Sequence, residues 1–225
     1  MNAIKFDNQY DVELLKSELS SVFQDDWVNH FNTKDFNGQW KVISLRSASG
    51  CATDIKTVYS NLYKDTPLLA NLPYINSVLQ EWCCEKETVR FMALYPGSEI
   101  KPHKDLGCSY QDGNFRLHIP ILTNDAVDFI VDGTNYHLQP GDCWYMDFSK
   151  VHSVKNAGDT VRVHLVIDCL RNHWSDELFG RYGYVEEEKR MSIEQVEAII
   201  AQLETHQTET ATNLIAQLKQ QYGLS

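Results

Sequence analysis

His103 and Asp105 stand two residues apart, and His152 follows later with Arg162 ten positions behind it. Two imidazoles and one carboxylate are the donor set that holds divalent iron on one face, leaving the opposite positions open for a bidentate cosubstrate and for oxygen. A guanidinium near the second histidine can grip a carboxylate in two-pronged fashion while the far end of the same ligand reaches the metal. These residue types describe an iron site with a keto-acid anchor. Taken singly, each piece says little. With 8 His and 31 Asp plus Glu in 225 residues, chance alone produces about one His-x-acid triplet, and one occurs. The information lies in the conjunction of a Pro96-Gly97 turn, the first pair, a later His and an Arg at a set distance. Arg is 7 of 225 residues, so a given His has about a three-per-cent chance of an Arg ten positions on.

The elements that must position these groups read as strands. Alternate residues of a strand share a face, so His103 and Asp105 can serve one metal. Around His152, β-branched runs are separated by Asn156-Ala157-Gly158-Asp159. That pattern predicts a hairpin centred near Ala157, in which His152 and Arg162 lie opposite on paired strands. Arg162, between Val161 and Val163, faces either solvent or a carboxylate, because a buried unpaired guanidinium is costly; the hairpin register favours the carboxylate. His164 shares its face as pocket lining or as a structural group. Asp147 and Ser149 offer partners for the outer ring nitrogen of His152 or for the strand around it. Arg116 and His118 alternate with Phe115, Leu117 and Ile119, so one face of that strand is polar, toward either a pocket or the outside. His30, His137, His173 and His206 read as incidental.

The stretch from about Trp40 to Asp168 resembles the aspartyl/asparaginyl β-hydroxylase family, which also takes in bacterial hydroxylases of free proline. The matching text is Leu94-x-Pro96-Gly97-x-x-Ile100-x-Pro102-His103-x-Asp105, then Arg116-Leu117-His118-Ile119-Pro120, then Pro140-Gly141-Asp142 and Asp147-x-Ser149-x-x-His152-x-Val154-x-Asn156, closing with Arg162. The resemblance implies a double-stranded β-helix (jelly-roll, cupin-like) that binds Fe(II) and 2-oxoglutarate and uses O2. It would release succinate and CO2 while hydroxylating an amino acid, free and proline-like or an aspartyl or asparaginyl residue in a peptide. By position, His103, Asp105 and His152 match the family's metal site and Arg162 its 2-oxoglutarate anchor. Arg116 and His118 match cosubstrate or substrate contacts, and Trp40 and Arg46 lie where the family shapes its substrate mouth. Animal peptidyl aspartyl hydroxylases have glycine at the position of Asp105, so the full triad here lies nearer the bacterial amino-acid hydroxylases. The run 106–115 is longer than the family's, and loops of that kind set substrate choice. Two rival classes use the same donors: a non-catalytic cupin-like binder of metal and carboxylate, and a non-oxidative cupin enzyme. Succinate formation coupled to an amino acid argues against the first, and a requirement for oxygen against the second.

The whole chain sets bounds on these readings. An apolar fraction of 43% and a charged fraction of 23% are those of a globular protein, and no stretch approaches the roughly 20 apolar residues of a membrane span. A formal charge of −11, with Lys and Arg scattered, argues against nucleic acid and leaves small amino acids compatible. Residues 1–11 carry acids where a signal peptide needs an apolar run, so a cytoplasmic protein is expected. Cys51, Cys83, Cys84, Cys108, Cys143 and Cys169 are irregularly spaced and are expected as reduced thiols.

The expected fold is mainly β with flanking helices. Residues 1–39 form an N-terminal helical segment bracing the core, with Val12, Leu14, Leu15 and Leu19 at helical spacing. Residues 40–170 form the double-stranded β-helix, preceded in part by helix within 54–86 and punctuated by turn signals. Asp132-Gly133 predicts a tight hairpin between 129–131 and 136–138. Residues 171–225 form a C-terminal helical extension with a capping-box candidate at Ser192-Ile193-Glu194-Gln195. Its apolar residues Val196, Ile199, Ile200, Leu203, Leu214, Ile215, Leu218 and Tyr222 keep helical spacing. The extension could serve as a lid, a homodimer contact or packing against the barrel, and some bacterial proline hydroxylases of the family carry a comparable one.

Overall fold

The computed structural model describes residues 1–58, 62–186, 193–206 and 208–224. In chain order its elements are β1 (Ala3–Gln9), α1 (Val12–Ser21), β2 (Val28–Asn29), β3 (Phe36–Asn37), β4 (Trp40–Ser47), β5 (Lys64–Asp65), α2 (Pro73–Glu81), β6 (Lys86–Leu94), β7 (Glu99–His103), β8 (Asn114–Leu122), β9 (Val127–Val131), β10 (Thr134–Asn135), β11 (Asp142–Met146), β12 (His152–Asn156), β13 (Arg162–Leu170), α3 (His173–Arg181), α4 (Ile193–Glu204) and α5 (Glu209–Tyr222). Among the described residues the strands form two sheets. The larger runs β1-β11-β8-β13-β6-β4-β2 with β5 on β4, and the smaller runs β10-β9-β12-β7-β3.

From β6 onward the chain passes back and forth between the sheets, so that, apart from the β9–β10 hairpin, strands adjacent in a sheet are not consecutive in sequence. This is the expected jelly-roll, or double-stranded β-helix. The same alternation overturns the hairpin expected around Ala157. β12 pairs with β7 and β9, while β13 pairs with β6 and β8. The link between them crosses from one sheet to the other. Asn156, fully buried, ties down that crossing by donating from its side-chain amide to the carbonyls of Leu94 and Thr160, each at 2.9 Å. His152 therefore lies opposite His103 on β7 and Val131 on β9, and not opposite Arg162.

Period-two alternation sorts the side chains of the larger sheet. On β13, Val163, Leu165, Ile167 and Cys169 join a core that also holds Leu15 and Leu19 of α1, Ile75 and Val78 of α2 and Phe179 of α3. Val166 instead belongs to the apolar layer between the sheets, with Val42, Met92, Leu94, Phe129 and Val154. Arg162, His164 and Asp168 share the parity of Val166, so every polar group of this doubly buried strand points into the gap between the sheets. On β8, Phe115, Leu117 and Ile119 lie in the helix-side core, which leaves Arg116 and His118 on the inner face. The polar face of that strand is the pocket face.

Two segments extend the core beyond the expected 40–170. Helix α1 forms as predicted, with Asp11 accepting from the amides of Glu13 and Leu14 at 2.9 and 3.1 Å, but residues 3–9 form strand β1 against β11, burying Ile4 and Phe6. Helix α3 likewise belongs to the main body: Phe179 stacks on Tyr110 at 3.6 Å and meets Phe6 and Phe115 edge-on. The chain divides into compact units Met1–Val185 and Glu186–Ser225. The second holds α4, which buries Val196 and Ile200, and α5. The capping-box Ser192 lies outside the described residues. Among those residues no helix is long and apolar enough to cross a membrane, and all six cysteines are free.

Two turns rest on left-handed backbone. Asp132 (φ 49°) and Gly133 (φ 77°) join β9 to β10 with Thr134 opposite Val131, the two-residue hairpin expected, although the return strand is Thr134–Asn135 and not 136–138. Gly141 has φ 81°, and a Cβ there would stand 2.5 Å from the Tyr10 carbonyl. Gly141→Ala is expected to lower unfolding free energy by about 1–3 kcal/mol, read as an earlier urea midpoint; an unchanged midpoint would contradict the strained contact.

Candidate active site

Strand β7 ends at His103, and Asp105 follows just past it, held by its amide to the Phe148 carbonyl at 2.9 Å. The shared face predicted from alternation thus survives one step beyond the strand. Pairing of β7 with β12 brings the His103 and His152 rings to 4.2 Å between centroids. His103 Nε2 lies 3.5 Å from Asp105 Oδ1, and one donor atom from each of the three residues falls within 4.8 Å of the others. Nδ1 of His103 sits 2.7 Å from the Lys101 carbonyl and Nδ1 of His152 3.1 Å from that of Lys150. A carbonyl only accepts, so each Nδ1 carries the proton and each Nε2 lone pair is free for a metal. Of the two roles expected for Asp147 and Ser149, they take the one toward the backbone leading into His152: Asp147 Oδ1 accepts from the Ser149 hydroxyl at 2.6 Å and its amide at 3.0 Å, and the ring nitrogen of His152 is served by Lys150 instead.

The electrostatics suit a cation. Burial pushes the His152 pKa down to about 4, so the ring is neutral near pH 7, the form that ligates. For Asp105, burial favours protonation, but Arg116 and the two histidines outweigh it and hold the carboxyl below its ordinary range. Two imidazoles and a carboxylate on one face can hold a divalent transition metal.

These three groups open on a cavity of about 760 Å³ between the sheets, lined from the larger sheet by Arg162, Arg116, His118 and Trp40 among others. Arg162 is 2% exposed. Its Nη2 lies 2.7 Å from His164 Nδ1, its guanidinium covers the Phe129 ring at 5.5 Å, and its Nε has no hydrogen-bond partner. Burial alone drives its pKa down to about 9. The carboxylate it was expected to face is not supplied by any of the described residues. A buried guanidinium in this state is a demand for an anion from elsewhere. His118 approaches His164 Nδ1 at 3.2 Å through its own Nδ1, and its buried Nε2 is also without a partner.

Arg116 lines the cavity as expected, and it also has acidic partners within the chain. Its Nη1 is 2.9 Å from Asp105 Oδ2 and its Nε 2.6 Å from Asp168 Oδ1. Asp168 also pairs with buried Arg90 and accepts from the Thr88 hydroxyl at 2.5 Å. Burial opposes its ionisation, yet Arg116 and Arg90 prevail and hold its pKa far below the usual value. Sequence reasoning missed Arg90 and Asp168; the signal was there in the alternation of Arg162, His164, Val166 and Asp168. A depressed folded-state pKa adds stability that is present above the unfolded value and lost as pH falls. Asp168→Asn is therefore expected to cost about 3 kcal/mol at pH 7, with the gap to wild type closing below about pH 4. Urea melts at pH 7 and pH 3 test this, and an equal gap at both would rule out the ion-pair account.

Trp40 lies on the cavity wall, its ring 3.6 Å from His30 in a stacked pair and its buried Nε1 unpartnered. His30, which read as incidental, lines the same cavity. Arg46 does not. It stands opposite Asp65 on β5, pairs with that carboxylate at 2.6 Å and donates from Nε to the Lys86 carbonyl at 2.9 Å; the nearer carboxylate takes its charge away from the site.

A protein-family model described as aspartyl/asparaginyl beta-hydroxylase matches residues 9–172. The L-proline cis-4-hydroxylase of Rhizobium meliloti (strain 1021) is 26% identical over 164 residues, 71% of this chain and 58% of that protein. L-proline cis-3-hydroxylase 1 of a Streptomyces species is 27% identical over 152 residues, 63% of this chain and 50% of that one. The chain spans about half the length of these curated relatives. An oxidoreductase of the 2OG-Fe(II) oxygenase family from Burkholderia pseudomallei has a similar crystal structure, with a TM-score of 0.53 over 76% of this chain and 86% of that one at 11% identity. That likeness is one of fold.

Proposed function

The chain belongs to the aspartyl/asparaginyl β-hydroxylase family, and on that premise we propose that it is an Fe(II)- and 2-oxoglutarate-dependent dioxygenase that hydroxylates a carbon of an amino acid. A free, proline-like amino acid is the favoured substrate, since the matched relatives are named for L-proline and Asp105 completes the three-ligand set. An aspartyl or asparaginyl residue in a peptide is the alternative.

The observation that carries this reading is the pairing of a metal-donor set with a buried guanidinium across one cavity. His103, Asp105 and His152 on one wall each offer a donor atom to a cation, and Arg162 on the other is buried without an acidic partner among the described residues. A keto acid answers both, because its keto and adjacent carboxylate groups suit a metal while its distant carboxylate suits a guanidinium. When bound, Fe(II) with 2-oxoglutarate supplies the oxidising chemistry: O2 places one oxygen on the substrate carbon and the other in succinate, with release of CO2. The chain's own residues hold and orient. Asp105 offers Oδ1, on the side of His103, while Arg116 occupies Oδ2, so the carboxylate is kept to one ligating oxygen. The Lys101 and Lys150 carbonyls fix the imidazole tautomers. Trp40 and Phe148 wall the cavity with apolar surface and limit water around the reacting carbon.

Anaerobic titration of the metal-free protein with Fe(II) and then 2-oxoglutarate tests this directly. A visible metal-to-ligand charge-transfer band is expected on adding the keto acid. A folded, iron-binding protein that gives no band would instead be a cupin-like binder or a non-oxidative enzyme.

A further inference from the structure

The pairing of β6 with β13 slips by one residue at its start: Ile167 stands opposite Val89, but Cys169 stands opposite Lys86. Glu87 and Thr88 together therefore face the single residue Asp168. An extra residue of this kind bends a strand and re-aims its side chains, and is a device found beside active sites. Here it brings the Thr88 hydroxyl onto Asp168 and sets Glu87, which regular alternation would turn away with Val89 and Phe91, on the wall of the central cavity.

Glu87 is half-buried there, and among the described residues it has neither a hydrogen bond nor an ion pair. The two cations whose charge acts on it, Arg116 and Arg90, are already held by Asp168. Burial and the Asp168 charge both push its pKa upward, the state of a carboxylate short of a counterion. Once Asp105 is committed to a metal, Arg90 and Arg116 balance Asp168 and Glu87, so this part of the wall is neutral and bipolar. A zwitterion matches it without leaving a net buried charge.

We propose that Glu87 receives the ionised amino group of the substrate, so that the site selects an amino acid with a free amino nitrogen over one acylated within a peptide. The inference rests on the dioxygenase reading and decides between its two substrate classes. The mouth of the cavity, where Phe31 and Leu106 are exposed, is then a way in and not a seat for a longer chain.

The test uses the full chain loaded anaerobically with Fe(II) and 2-oxoglutarate, and follows perturbation of the charge-transfer band. The probes are the common L-amino acids, their N-acetyl forms and their 2-hydroxy analogues, which remove the positive charge without adding bulk. At least one free amino acid should bind about 10-fold or more tightly than both of its uncharged counterparts. Glu87→Gln, near-isosteric, should reduce that preference to within about twofold, with 2-oxoglutarate affinity and melting temperature unchanged. No preference for a free amino group across the panel, or a preference that survives Glu87→Gln, overturns the proposal. Failure of the band to form would refute the dioxygenase reading, a separately visible result.

Discussion

Asp105→Ala is expected to weaken Fe(II) binding by at least about 100-fold and to abolish hydroxylation. Losing only an outer partner of a metal ligand commonly reduces affinity or activity 10- to 100-fold, and a direct ligand counts for more. The change reaches further here, because Asp105 accepts from Arg116 at 2.9 Å and Arg116 is in turn anchored on Asp168. Alanine leaves two imidazoles on the metal face and points a guanidinium toward a cation. Asp105→Glu should recover part of the affinity. Equilibrium dialysis with Fe(II), alongside product analysis, gives the answer; full product yield from the alanine variant would remove Asp105 from the ligand set.

Arg162→Met is expected to raise the 2-oxoglutarate requirement by about 100-fold, with Fe(II) affinity held within about twofold since none of the metal donors lies on β13. Its effect on stability has the opposite sense. Arg162 is a desolvated cation with no acidic partner among the described residues, so replacing it by an apolar residue of similar length should leave the ligand-free protein as stable as wild type or more so. Arg162→Lys keeps the charge without the planar fork and should fall between the two for cosubstrate binding. Titration of 2-oxoglutarate by the charge-transfer band and thermal melts of the ligand-free proteins report the two effects independently. An unaltered cosubstrate requirement would move the anchor to another residue.

The parts of this architecture that were readable from sequence are those set by local period. Alternation placed His103 with Asp105, and Arg116 with His118, and helical spacing found α1 and the C-terminal helices. Pairing was not readable in the same way. The Asn156–Arg162 segment has the composition of a hairpin turn, yet the buried Asn156 amide uses Leu94 and Thr160 to carry the chain across to the other sheet, a choice made by a residue sixty positions away. Alternation with Arg162 and His164 puts Asp168 on the inner face, but the same limit hid its partner Arg90, which meets it only when β6 and β13 lie side by side. Strand β1 was missed for another reason: only Ile4 and Phe6 mark its buried face, too short a stretch to stand out among polar neighbours. Arg46 was assigned by position alone, without the Asp65 that neutralises it.

The proposed metal donors stand on β7, just past its end and on β12, while Arg162 stands on β13 of the opposite sheet. A keto acid that spans them, as proposed, is a cross-brace between two halves of the sandwich, added to the Arg116–Asp105 ion pair and the apolar layer that already join them. Its occupancy then contributes to how firmly the sandwich stays shut, by about 2.7 kcal/mol at a hundredfold excess over the dissociation constant. Resistance to proteolysis, and with it the lifetime of the polypeptide, would follow the supply of keto acid as well as the sequence.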